Sequence, residues 1–326
     1  MMTPWMMKQR EYIPPLIMVQ LNLKGLFSLS KILLKNIKQI QQLQQQAKHN
    51  VYHRPKPNYT IPPFTSEMKI MKKTEKYLRP TLFCNCEAPE VVALAYHLGA
   101  YKKSDREFAT AAFEFAKREI ILEIHPLDDV VQVLQRGTGT CIHKISVFIA
   151  LCRAAGIPAR YKFYALTILD NWLGPSFERA PLMRQWYDAM GFFMMHGQGE
   201  VLIDGKWIPA DVGAEPARQA AAGLPITKLG EESIGLWLFP LPGTIMSRES
   251  IPLGLGLASQ VLMRRVVPNS VAGINIGILE QIEQGKKIIA DAGGEQAYDE
   301  MARKKRRLRD PTVHLEKKNG ILFGDE

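Results

Sequence analysis

Residues 139–160 read GTCIHKISVFIALCRAAGIPAR, a stretch that predicts a glycine-rich turn, one apolar helix and the start of a strand. Cys141 stands where the turn meets the helix. Free backbone N–H groups and the positive end of the helix dipole gather there, and both favour thiolate over thiol. Gly156 is placed to end the helix as a C′ glycine, and residues 160–166 then alternate as a strand. Cys141 is therefore a candidate nucleophile.

A second block further along the chain offers partners for this cysteine. Residues 196–207 read HGQGEVLIDGKW, and Asp211 follows. Asp204-Gly205 suits a two-residue hairpin turn between strands over 199–203 and 206–210. We interpret His196 as a general base and Asp211 as the carboxylate that orients it, because a cysteine nucleophile needs both groups.

Helices are predicted mainly before the strands. A capping box at Ser104 and Glu107 begins a helix that should run to about Ile124, and Asp128 or Asp129 begins a short helix through Leu134. Another helix is predicted from about 276 to 309, ending in a basic cluster that is expected to be solvated at the helix C-terminus. Helices first and strands afterwards indicate the α+β class.

The 326 residues suggest one catalytic domain with extensions. We expect a basic amphipathic helical extension and a proline-rich linker over 1–60, a catalytic domain over 61–240, and a helical extension over 241–326. Within the catalytic domain, residues 167–195 are rich in aromatic residues and methionine, and we expect them to form a helical insertion. This insertion either lines the substrate groove or packs as ordinary core.

The net charge of +10 is concentrated near the N-terminus, where residues 1–80 hold 14 Lys and Arg against 3 Asp and Glu. Apolar residues recur among lysines over 16–46, which predicts one or two amphipathic helices. These helices pack on the catalytic domain, or bind a membrane surface or an acidic partner protein. No nucleic-acid partner is expected. An export signal and a spanning segment are not evident, which favours a cytoplasmic protein, with peripheral membrane association as the alternative.

The four cysteines are too few for a disulfide scaffold, so reduced thiols are expected. Cys84 and Cys86 are close in sequence, but a tetrahedral zinc site needs four ligands and the nearest histidine, His97, lies on the following helix. A phosphate-binding glycine loop is also not evident. We therefore expect neither a metal nor a cofactor.

Together the two blocks resemble the transglutaminase-like superfamily of cysteine enzymes, in particular its archaeal and bacterial members. These share a Gly-x-Cys turn, a helix that ends in Leu-x-Arg-Ala-x-Gly-Ile-Pro-Ala-Arg, and a later His-x-x-x-Glu-Val, Asp-Gly-x-Trp and Asp. The matching residues are Gly139, Cys141, Leu151, Arg153, Ala154, Gly156, Ile157, Pro158, Ala159, Arg160, His196, Glu200, Val201, Asp204, Gly205, Trp207 and Asp211. The resemblance covers about residues 78–215. Two positions depart from the pattern: Gln198 replaces a frequent aromatic residue, and Asp211-Val212-Gly213 replaces a frequent Asp-Pro-Thr.

The resemblance implies a papain-like α+β fold in which the cysteine helix packs on an antiparallel sheet. It makes Cys141 the nucleophile, His196 the general base and acid, and Asp211 the orienting group in an acyl-transfer reaction on peptide, protein or small amide substrates. We expect hydrolysis rather than transglutaminase-type amine transfer, because water is always present and no motif indicates a binding site for an acceptor amine. A binding protein that keeps the fold without turnover also fits the sequence, and so does a membrane-recruited adaptor. Arg160 and Glu200 are expected to brace the strands.

Overall fold

A computed structural model describes residues 23, 27–28, 30–46, 52–167, 185, 189, 193–233, 239–240, 245–251 and 270–306, and the following description concerns these residues. The helices are α1 Ile37–Gln46, α2 Pro89–Leu98, α3 Asp105–Arg118, α4 Val130–Arg136, α5 Cys141–Ala154, α6 Pro216–Ala221, α7 Ser270–Asp291 and α8 Glu295–Arg306. The strands are β1 Ile121–Leu122, β2 Thr138–Gly139, β3 Ala159–Thr167, β4 Phe193–Ile203, β5 Lys206–Ala210, β6 Phe239–Pro240 and β7 Met246–Arg248.

The helix α5 is the centre of the core. Its hydroxyl N-cap, Thr140, accepts a hydrogen bond from the backbone N–H of His143. Every residue from Ile142 to Arg153 is buried, which explains why the sequence of this helix is apolar on nearly all sides. The helix ends at the predicted place, with Gly156 at a φ of 89°.

One antiparallel sheet carries the second block. Its strands run in the order β5-β4-β3-β6, and β7 pairs with the same edge of β3 as β6. The predicted hairpin is present: Asp204 and Gly205 adopt φ values of 52° and 71° between β4 and β5, which suits a turn with two left-handed residues. Arg160 and Glu200 form an ion pair of 2.6 Å across β3 and β4, in keeping with the bracing role expected for them.

The sheet packs closely on α5, while α2, α3 and α4 pack against other sides of the same helix. A Cβ atom at Gly199 would lie 2.7 Å from the ring of Phe148. Only glycine therefore fits on β4 where it crosses α5. Helices packed on an antiparallel sheet make this an α+β protein.

Two helix predictions were wrong in extent. The helix from Ser104 ends at Arg118 instead of Ile124, because β1 leaves the helix path to pair in parallel with β2. The single C-terminal helix is two helices, separated at Gly293 and Gly294, whose φ values of 88° and 114° do not fit a helix.

The basic cluster at the end of α8 is described only as far as residue 306, and it is not simply solvated. Arg303 forms ion pairs with Asp299 and Glu231, both at 2.9 Å. The ion pair with Glu231 connects α8 to the segment that precedes β6.

The strands overlap the ends of the predicted insertion, because β3 runs to Thr167 and β4 begins at Phe193. The rest of the insertion, except residues 185 and 189, lies outside the described residues, and so do most of the residues before 27. The three-part division of the chain stays a prediction. Within the described residues, none of the helices combines the length and apolar character that crossing a bilayer requires.

Candidate active site

The fold brings Cys141, His196 and Asp211 to one place. A Cβ atom added to Gly213 would lie 3.0 Å from Cε1 of His196, 3.2 Å from Oδ1 of Asp211 and 3.4 Å from Cβ of Cys141. The three predicted residues therefore surround a single point. A side chain at position 213 would press into this cluster.

Cys141 is the first residue of α5 and carries a partly buried free thiol. Cys84, Cys86 and Cys152 are free thiols as well, but they lie in the hydrophobic core. Burial raises the pKa of all three, to about 12 for Cys86. The structure thus separates one accessible thiol from three that resist ionisation.

His196 lies on β4 with its imidazole buried, in register with Tyr164 on β3. Burial lowers the pKa of His196, but the negative charge of the Cys141 thiolate and a hydrogen bond with Cys141 raise it by more. Asp211 adds to the increase, and the net shift is upward. This electrostatic coupling favours the imidazolium form of His196 beside Cys141.

Asp211 follows the end of β5 directly and is buried. Its Oδ1 accepts a hydrogen bond from the backbone N–H of Gly213 at 3.0 Å, and its Oδ2 accepts one from the hydroxyl of Ser233 at 2.5 Å. Lys117, on α3, donates to the backbone carbonyl of Asp211 at 3.4 Å and to that of Ala214 at 3.0 Å. Both the carboxylate and the backbone of this residue are therefore held in place.

A buried ion pair supports the segment just beyond Asp211. Lys144, on α5, lies 2.7 Å from Oε1 of Glu215 and also donates to the backbone carbonyls of Lys117 and Ile120. Glu215 in turn accepts from the backbone N–H of Leu122. This pair connects the cysteine helix to the start of α6.

His143 stabilises the first turn of α5. Its Nδ1 accepts from the backbone N–H of Thr140 at 2.9 Å, and its Nε2 lies 3.0 Å from Oδ1 of Asp128 and 3.2 Å from the backbone nitrogen of Asp128. Although burial opposes it, hydrogen bonds from His143 and Arg136 hold the pKa of Asp128 below its ordinary value. This role of His143 was not predicted from the sequence, because a histidine is an unusual residue at the glutamate position of a capping box.

His125, Asp128 and His143 have the composition of a metal site, with potential ligand atoms within 4.8 Å of one another. Arg136, however, donates to both carboxylate oxygens of Asp128, at 2.7 and 3.2 Å. A guanidinium beside the carboxylate repels a second cation and satisfies the charge. We therefore assign this cluster to the support of α5.

Tyr164 and Ser233 were not predicted as part of the site either. Their contacts with it depend on strand register and on a loop that returns to the sheet from beyond residue 211. The sequence signal for Tyr164 is its position in the alternating run of β3, which places it on the same side as Lys162. The alternation predicts on which face of the sheet Tyr164 lies, but it does not predict that His196 is its neighbour on the paired strand.

The described residues form an α+β protein, in which a cysteine begins a buried helix and a histidine lies on the antiparallel sheet that packs on this helix. Residues 92–212 match the model of the Transglutaminase-like superfamily, so this segment of the chain is similar to that superfamily.

A solved structure resembles this chain: a crystal structure from Cytophaga hutchinsonii described as that of a candidate cysteine protease. The two chains are 19% identical, with a TM-score of 0.35, and the match covers 53% of this chain and 46% of the other. This chain thus matches about half the length of that protein. No curated protein sequence matches this chain.

Proposed function

We propose that this protein is a cysteine enzyme that transfers the acyl group of an amide through a thioester on Cys141, with His196 as base and acid and Asp211 as the orienting carboxylate. The observation that carries the proposal is the meeting of these three side chains around Gly213, together with the upward shift of the His196 pKa that Cys141 causes. Coupling of this kind between a thiol and an imidazole is what nucleophilic catalysis requires.

The proposed reaction has two steps. In the first, the Cys141 thiolate forms a bond to the amide carbonyl carbon, the C–N bond breaks, and His196 protonates the departing amine. In the second, His196 takes a proton from water as the water oxygen attacks the thioester, which releases the carboxylic acid and the cysteine sulfur. An amine in place of water would give cross-linking. We propose hydrolysis, because water needs no dedicated acceptor site.

Selective alkylation tests the proposed nucleophile without a known substrate. We expect iodoacetamide at pH 7 to modify Cys141 well before Cys84, Cys86 or Cys152, because those three are buried with raised pKa values. Peptide mapping by mass spectrometry measures the rate at each thiol. In His196→Ala the rate at Cys141 should fall at least about tenfold, since the imidazolium is lost.

Equal modification of all four thiols, or a Cys141 rate that is unchanged in His196→Ala, would instead support a binding protein without turnover. The reaction itself is identified with a panel of peptides and small amides, by trapping thioester adducts and weighing the products. Release of a free acid supports hydrolysis, whereas incorporation of an added primary amine supports transglutaminase activity.

We also propose that residues 16–46, the predicted basic amphipathic segment, bind anionic membrane surfaces. Its described part exposes four large apolar side chains, with Phe27 and Leu34 both 72% exposed. These are Leu23, Phe27, Leu34 and Ile37. Lys31, Lys35 and Lys38 are exposed on the same segment. Apolar anchors flanked by lysines fit a negatively charged lipid surface, and a peripheral site of this kind suits the cytoplasmic location that we propose.

Vesicle sedimentation tests this surface. We expect the protein to sediment with vesicles of 30% phosphatidylserine and to stay in solution with pure phosphatidylcholine. Changing the three lysines to glutamine should weaken binding roughly 100-fold, at about 1 kcal/mol for each charge. Phe27→Asp should also weaken it, whereas Leu82→Asp, at an exposed apolar residue outside the segment, should not. Equal binding to neutral and anionic vesicles would contradict the proposal.

A further inference from the structure

Two buried polar atoms that lie near His196 have no hydrogen-bond partner among the described residues. They are the hydroxyl oxygen of Tyr164, which is 1% exposed, and Oε1 of Gln198, which is 0% exposed. The amide of Gln198 has a defined orientation, because its Nε2 donates to Glu232 at 3.0 Å and a carboxylate can only accept. The oxygen is therefore the atom left over.

Both side chains lie on one face of the sheet next to the candidate nucleophile. Tyr164 is directly opposite His196, and Gln198 is two residues further along β4, which places it on the same side. Cross-strand diagonal neighbours are about 7 Å apart, within reach of side chains of this length. The ring of Tyr164 meets the ring of His196 edge-on, with centroids 5.6 Å apart.

The packing of the core alone does not explain why these two buried polar atoms lack a hydrogen-bond partner. Burying a hydroxyl or an amide oxygen without a partner destabilises a protein, and most buried polar atoms in proteins are hydrogen-bonded. The hydroxyl of Tyr164 can donate a hydrogen bond, and Oε1 of Gln198 can accept one. The pair is complementary to a single secondary amide, which offers one carbonyl oxygen and one N–H.

We propose that Tyr164 and Gln198 form a subsite for an amide group of the acyl substrate, in which Tyr164 donates to a carbonyl oxygen and Gln198 accepts from an N–H. This inference rests on the proposed function, and it identifies the substrate class as peptide-like. Tyr164 remains a donor throughout the working range, because burial and the charges of Asp211, Glu232 and Cys141 hold its pKa well above 10. The same negative charges disfavour a carboxylate ligand here.

The test uses the coumarylamide peptide of the panel that the unreactive Cys141→Ala variant binds most tightly, and an analogue in which the backbone nitrogen of the residue that carries the coumarylamide is methylated. We expect the wild type to prefer the N–H peptide at least tenfold. Gln198→Met should abolish this preference, and Tyr164→Phe should lower kcat/KM at least tenfold for both peptides. The reaction of Cys141 with methyl methanethiosulfonate, which has no amide, should be unchanged in both variants.

Tyr161→Phe is the matched control, because Tyr161 lies on the same strand but faces α5 and bonds to Ser146 at 2.9 Å. We expect this change to lower Tm by roughly 2–4 °C and to leave kcat/KM unchanged. Tyr164→Phe should show the opposite pattern: a Tm that is unchanged or higher, with lost turnover. A marked fall in the Tm of Tyr164→Phe would show an internal partner for the hydroxyl and would overturn the subsite.

Binding separates failure of the subsite from failure of the proposed function. Cys141→Ala, which cannot react, should bind the N–H peptide more tightly than its N-methyl analogue, and this difference should vanish when Gln198→Met is added. If binding behaves so but the wild type cleaves nothing, the proposed function fails and the subsite stands. If cleavage occurs and Tyr164→Phe and Gln198→Met leave it unaltered, the subsite is wrong. If neither peptide binds, the subsite is also overturned.

Discussion

Cys141→Ala is expected to reduce amide turnover by roughly 10⁴-fold or more, because the variant lacks the sulfur on which the thioester forms. His196→Ala should cost a similar factor, since the imidazole both supports the thiolate and carries the proton. The measurement is kcat/KM on the best peptide of the panel. Cys141→Ala should remain folded, because Cys141 lies at the end of a helix and not in its packed centre. Circular dichroism and Tm verify the fold of both variants.

The two losses should not add. When groups act as a unit, removing the second costs little once the first is gone, so the double variant should match either single variant. His97→Ala, at an exposed histidine on α2, is the control and should keep full activity. Residual activity in Cys141→Ala above about one part in a hundred of the wild type would contradict the proposed nucleophile.

The pH dependence follows from the direction of one shift. Cys141 and Asp211 raise the pKa of His196 above its ordinary 6.5, so the imidazolium persists to higher pH than in an isolated histidine. Activity that depends on a thiolate beside an imidazolium is lost as pH rises through this increased value. The alkaline limb of the kcat/KM profile should therefore lie above pH 6.5.

The parts of the site that depend on short sequence patterns could be predicted from the sequence. A glycine-rich turn before an apolar helix places Cys141 at a helix start, and an Asp-Gly hairpin brings the strand of His196 back toward Asp211. Both signals act over a few residues, so a single sequence reveals them. Gly213 shows the limit: the sequence marks it as a departure from the expected Asp-Pro-Thr, but only the structure shows that it lies among Cys141, His196 and Asp211.

Long-range register decided what was missed. Tyr164 is opposite His196 because β3 and β4 pair in one register, and a shift of a single residue would turn it to the other face. The partners of Asp128 likewise come from separate elements, α4 and α5. The C-terminal helix was predicted too long for a different reason: apolar periodicity continues across Gly293 and Gly294, although these two residues end α7.

The largest loss of stability is expected from Glu215→Ala. The side chain of Lys144 is fully buried, and Glu215 is the carboxylate that balances its charge at 2.7 Å. Removing one member of a buried ion pair leaves an uncompensated charge, at a cost of roughly 3–5 kcal/mol. The backbone N–H of Leu122 loses its acceptor as well. Chemical denaturation should show this decrease in the free energy of unfolding, and Tm should fall by roughly 10 °C.

Glu295→Ala is the matched control, because it removes the same side chain from an ion pair with Arg118 at the surface, where the two side chains are 42% and 39% exposed. Exposed pairs contribute at most about 1 kcal/mol, so this variant should unfold close to the wild type. Similar effects of the two changes would show that Glu215 does not balance a buried charge.

The pH dependence of Glu215→Ala offers a further check on its cause. Burial already lowers the pKa of Lys144, and Glu215 opposes that decrease. Without the carboxylate, the pKa of Lys144 in the folded protein falls further below its unfolded value, so the unfolded chain binds the proton more tightly. Stability then rises with pH, and the deficit relative to the wild type should narrow as the pH rises toward about 10.4, the pKa of an unburied lysine. If the difference in the free energy of unfolding is instead independent of pH, the loss of stability comes from packing and hydrogen bonds and not from the uncompensated charge of Lys144.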